Sequence, residues 1–173
     1  MAKAGVLQLA STAEETATFS IDLGRLLNSG ARPFYNSPAF SDITIIAPDG
    51  RQRLCHQVIL AASSKRLASV LKSGDFTNAR LPVQGVDSDA LDSLLESCYT
   101  GECGLSLASA AAVYDAAVKL EVTGLAPAIE QFVGGGLSPP TVVPMLERAL
   151  GVKAARLVEI CLGFIRGRWV VTG

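Results

Sequence analysis

Between Phe40 and Ser64 the chain reads FSDITIIAPDGRQRLCHQVILAASS, and this stretch limits the folds open to it. Asp42 to Ala47 alternates and is β-branched, which predicts a strand. Pro48-Asp49-Gly50 is turn chemistry, since proline presets one backbone angle and glycine supplies a positive one. Gln52 to Leu54 returns as the second strand of a hairpin. His56 then leads into a short helix over 58–62. Ser63 or Ser64 caps the next helix, which runs to about Lys72 with Leu67, Val70 and Leu71 inward, and Gly74 ends it.

Helical spacing governs most of the rest. Upstream, Phe19, Leu23, Leu26 and Leu27 fall on one stripe behind a cap at Ser20. Residues 1–18 are expected to be a disordered tail, and 28–41, with Pro33 and Pro38, a loop. A brief strand is predicted over 80–83. An amphipathic helix follows from Ser88, with Leu91, Leu94, Leu95, Cys98 and Tyr99 on its stripe and Gly101 as its stop. Helices are predicted at about 106–120 (Val113, Ala117 and Leu120 inward) and 123–133 (Leu125, Ile129 and Phe132 inward). Gly134-Gly135-Gly136 reads as a flexible linker. A helical pair then covers 137–168; Ser138 caps its first member, with Met145, Leu146, Ala149 and Leu150 as the stripe. The order is helix, hairpin, helices, short strand, helices. That is an α+β fold with a small sheet rather than alternating βαβ units.

Composition narrows the function. With 173 residues, 49% hydrophobic and 18% charged, the chain suits one globular domain with a small appendage. Basic residues lead over 51–72 and acids over 75–130, which reads as solvated faces or as a polarised partner surface. A net charge of −1 and 6% aromatics, not interleaved with the basic residues, argue against nucleic acid as a partner. Cys55, Cys98, Cys103 and Cys161 sit in apolar contexts and read as reduced, buried thiols. With one histidine and no metal-ligand spacing, neither a metal nor any other cofactor is expected. One histidine, no G-x-S-x-G elbow and no phosphate loop leave little for catalysis, so no catalytic residue is assigned. No apolar run reaches membrane-spanning length and no secretory leader is visible, so neither a membrane nor a secretory role is expected.

Taken together, Asp42 in SDITI, His56 before I-L-A-A-S-S at 59–64, and Cys98-Tyr99-Thr100-Gly101 at a helix end resemble the BTB/POZ domain. The likeness covers about 19–133, and 137–168 resembles the start of a BACK, or three-box, extension. The resemblance implies a small sheet flanked by a helical cluster, followed by a helical pair. It also implies homodimerisation through the first helix, with Phe19, Leu23, Leu26 and Leu27 as the surface and Asp42 either at the dimer floor or accepting hydrogen bonds from backbone amides of the hairpin. In the family that acid is often matched by Lys or Arg just after the histidine, where this chain has Gln57. Many members bridge a substrate to a RING ubiquitin ligase through cullin-three, using a hydrophobic-x-Glu motif. Here the matching segment is Phe76-Thr77-Asn78, so Phe76, Asn78 and Tyr99 are the expected cullin contacts. The resemblance thus implies a cytoplasmic or nuclear adaptor. Two other readings stay open: a self-assembly module, scaffolding or transcriptional, without cullin binding, and a monomeric relative similar to elongin C.

Overall fold

The computed structural model describes residues 30–74 and 79–169. The predicted hairpin is present as β1 (Ile43–Ile46) and β2 (Gln52–Cys55), antiparallel with Ile43 opposite Cys55 and Ile46 opposite Gln52. Alternation places Ile43, Ile45 and Ala47 inside, as a half-buried strand requires. At the turn Gly50 takes φ +86°, and its N–H donates to the Ala47 carbonyl at 2.9 Å. The third strand, β3 (Arg80–Pro82), lies parallel to β1 on its free edge, so the sheet order is β2-β1-β3.

The helices follow the predicted order. They are α1 (Gln57–Ser63), α2 (Lys65–Ser73), α3 (Ser88–Thr100), α4 (Ala110–Lys119), α5 (Leu125–Gly136), α6 (Pro139–Gly151) and α7 (Ala155–Trp169). Ser64 separates α1 from α2: its hydroxyl accepts from the Leu67 N–H at 3.0 Å and donates to the Leu120 carbonyl, tying the cap to the end of α4. Asp87 caps α3 by accepting from the Ala90 N–H at 2.9 Å. Gly101 ends it at φ +69°, the left-handed stop that glycine takes without strain. Leu91, Leu94, Leu95 and Tyr99 form the buried stripe of α3.

Three expectations are corrected. Gly134-Gly135-Gly136 is not a linker but the last turn of α5, and the Leu137 N–H still donates to the Val133 carbonyl at 3.1 Å. Packing overrides glycine's weak helix preference here. A Cβ on Gly134 would meet Ile160 at 3.8 Å and one on Gly136 would meet Leu107 at 3.5 Å, so neighbouring side chains hold this turn. Within α5, Val133 rather than Phe132 is buried. On α6, Val142 takes an inward place and Leu150 is exposed. One apolar core runs from Ile45 of the sheet through Leu91 and Val113 to Met145, Leu157 and Cys161 of the last pair. That pair therefore docks on the main domain, through α4 and α5. Among the described residues no helix is long and apolar enough to cross a membrane.

Candidate protein-interaction surfaces

The loop that carries Phe40, the most exposed aromatic among the described residues, is fixed by a buried hydrogen-bond hub. His56 is 8% exposed, and its backbone N–H donates to the Tyr99 hydroxyl at 2.8 Å. Its Nε2 lies 3.0 Å from the Ala39 carbonyl, and its Nδ1 lies 3.0 Å from the same Tyr99 hydroxyl. A carbonyl only accepts, so Nε2 carries the hydrogen. In the neutral ring Nδ1 then accepts, and Tyr99 is the donor. Phe34 meets the imidazole edge-on at 6.1 Å, and Tyr35 packs against Tyr99 at 5.4 Å. Burial pushes the Tyr99 phenol well above its ordinary value. His56 is thus a hydrogen-bonded core residue, as a lone histidine on an apolar segment is expected to be. Tyr99 is 0% exposed, so its expected role as a partner contact gives way to a core role.

Two apolar side chains that flank this hub in sequence are exposed. Phe40 is 83% exposed at φ +60°, meeting Phe34 edge-on at 5.9 Å, and Val58 on α1 is 75% exposed. Asp42 also lies at the start of the hairpin and is exposed. Its carboxylate accepts from the Gln57 N–H at 2.8 Å, capping α1, while the Gln57 side chain donates to the Asp42 carbonyl at 3.3 Å. Asp42 is therefore satisfied by backbone. Phe19, Leu23, Leu26 and Leu27 lie outside the described residues. Sequence reasoning missed Phe40 and Val58. The available signal was an aliphatic residue on the α1 side away from buried Leu60, but a helix of seven residues is too short to show a stripe.

A second surface is an open groove of about 410 Å³ between α2, β3 and the end of α4. Leu67, Val70, Leu81, Val83 and Leu120 make its apolar lining, with Arg66 on the α2 side. On the α4 side, Lys119 donates to the Gly85 carbonyl at 2.6 Å and pairs with Asp115 at 2.7 Å. Phe76 and Asn78 belong to the segment joining α2 to β3 and lie outside the described residues. Lys65, Arg66, Lys72 and Arg80, on α2 and β3, are all exposed. Other members of the basic run are paired with acids. Arg51 pairs with Asp49, Asp89 and Asp92 at 2.6, 2.6 and 2.9 Å, and Arg53 pairs with Asp92 at 2.5 Å. Among the described residues no cluster of three His, Cys, Asp or Glu side chains is placed to hold a metal ion.

The family model for the BTB/POZ domain matches residues 32–135. The chain belongs to the BTB/POZ family. Human Kelch-like protein 38 is 29% identical over 131 residues, which are 75% of this chain and 22% of that protein. Kelch repeat and BTB domain-containing protein 8 of Danio rerio is 23% identical over 141 residues, covering 80% of this chain and 24% of that protein. Transcription activator GAGA of Drosophila melanogaster is 33% identical over 82 residues, or 47% of this chain and 14% of that protein. This BTB chain therefore spans under a quarter of the length of these relatives. The BTB domain of human gigaxonin superposes with a TM-score of 0.60 at 21% identity, covering 70% of this chain and 99% of that one, which supports the fold.

Proposed function

We propose that this chain is a BTB adaptor that homodimerises and recruits cullin-three, bringing substrates bound elsewhere to a RING ubiquitin ligase in the cytoplasm or nucleus. Its work is binding, and no residue is assigned to catalysis. The observation that carries the reading is the groove between α2 and β3. These elements flank the segment holding Phe76 and Asn78, and the groove has the open apolar lining that an inserted partner side chain needs. Phe76 is the anchor and Asn78 a polar contact in place of the family's glutamate. The α6–α7 pair acts as the start of a BACK extension and widens the same contact. Dimerisation uses Phe19, Leu23, Leu26 and Leu27, with Asp42, Phe40 and Val58 on the receiving side. An exposed phenylalanine and valine would otherwise be sticky surface.

Calorimetric titration with the N-terminal region of cullin-three tests the cullin arm, with Phe76→Ala as control. Sub-micromolar binding lost in the variant is expected; no detectable heat from the folded chain would sink it. Asn78 favours the second reading, a self-assembly module without cullin binding, and the same titration separates the two. Light scattering tests the dimer: Leu23→Asp should halve the molar mass, and a wild-type chain already at monomer mass would refute dimerisation.

A further inference from the structure

On the far side of α3 from the ion pairs lies a cleft of about 370 Å³ that contains two free thiols. Cys98 is on the last turn of α3 and Cys103 follows the Gly101 stop. The left-handed residue turns the chain back, so that both side chains line the one cleft, with Ser63 and Thr123 across it. Thr100 holds this reversal: its hydroxyl donates to the Glu102 carbonyl at 2.9 Å and accepts from the Glu102 N–H at 3.2 Å. Both thiols are only partly buried, whereas Cys55 and Cys161 are at 0% exposure.

We propose that Cys98 and Cys103 are a thiol–disulfide modification site, closing reversibly into an internal disulfide across the end of α3. The co-reactant is a small-molecule disulfide. One cysteine loses its proton to solvent and attacks a sulfur of oxidised glutathione, releasing one glutathione thiolate. The second cysteine, also deprotonated, attacks the protein-side sulfur and releases the other glutathione. Two protein thiols are oxidised and one glutathione disulfide is reduced to two thiols. Nearness is supported by electrostatics, because charge on Cys103 opposes ionisation of Cys98. Burial also pushes both thiols up, so the reaction quickens as pH rises above neutral.

Trypsin makes the test clean. No Lys or Arg lies between Arg80 and Lys119, so one peptide, Leu81–Lys119, holds Cys98 and Cys103 and no other cysteine. The full chain is incubated with oxidised glutathione, denatured, alkylated with iodoacetamide and digested without reductant. The expected result is that this peptide loses the mass of two hydrogens and takes no alkyl group, while the peptides with Cys55 and Cys161 are alkylated. Dithiothreitol should restore two alkylatable thiols. With Cys103→Ser, the reaction should stop at a glutathione adduct on Cys98 or not start. Two alkyl groups on the wild-type peptide, a persistent glutathione adduct there, or linkage to Cys55 would overturn the proposal.

Discussion

Tyr99→Phe removes one oxygen from the centre of the His56 hub and leaves the ring in place. Two buried groups then lose their partner: the His56 N–H, now bonded at 2.8 Å, and Nδ1 at 3.0 Å. Tautomer exchange does not rescue Nδ1, because Nε2 must keep its hydrogen for the Ala39 carbonyl at 3.0 Å. An orphaned buried polar group costs about 1–3 kcal/mol. With two such groups the expected loss is about 2–6 kcal/mol, a large part of a small domain's stability. Urea unfolding of the two proteins measures it, with the slope on denaturant unchanged and the midpoint lowered. The loop carrying Phe40 should loosen too, read as faster amide exchange around Ala39. A loss under about 0.5 kcal/mol would refute the reasoning, since it would mean both groups find other partners at no cost.

Three further outcomes follow from the same structure. Ser64→Ala should cost about 1–3 kcal/mol by urea unfolding, since it removes the cap on Leu67 and orphans the Leu120 carbonyl. Gly135→Ala should stabilise by about 0.5–1 kcal/mol, because Gly135 is helical and a Cβ there meets nothing within 4 Å; a flexible linker would show no such gain. The tyrosines should titrate late. Burial pushes Tyr35 and Tyr114 up to about 12, helped by Asp92 and Glu130 respectively, and Tyr99 higher still. Their folded values lie above the unfolded value of about 10, so this contribution to stability is complete below pH ~10 and lost as pH rises from there. Ultraviolet titration should show phenolate appearing together with unfolding above that pH, and early ionisation in the folded chain would contradict the burial.

Much of the fold was legible because local chemistry and tertiary packing agree. The hairpin follows from β-branched alternation and a Pro-Asp-Gly turn, and α3 from three leucines, a cysteine and a tyrosine at helical spacing, with Gly101 as its stop. Legibility failed where packing overrode local preference. Three consecutive glycines are poor helix formers on their own, yet packing against Ile160 and Leu107 brings them into α5. Tyr99 was misread for a related reason. Its place in a family-like motif said that it matters, and only the three-dimensional hub says how: through His56 rather than through a partner.

The charge pattern carries the same point to function. Along the chain, Arg51, Arg53, Lys65, Arg66 and Lys72 form an acid-free run that reads as one basic face. Folding splits it. Arg51 and Arg53 turn to the acids at the start of α3, and Arg53 with Asp92 is the more buried pairing, so those two are committed to holding the hairpin against α3. Lys65, Arg66 and Lys72 stay exposed on α2, with Arg66 lining the groove. Charges left in water contribute little to stability, so their value lies in steering and selecting what approaches the groove. The segment between α2 and β3 has Asn78 where the family's cullin motif has glutamate. Under the proposed cullin reading, a partner that binds through that segment meets one negative charge fewer than the family motif supplies.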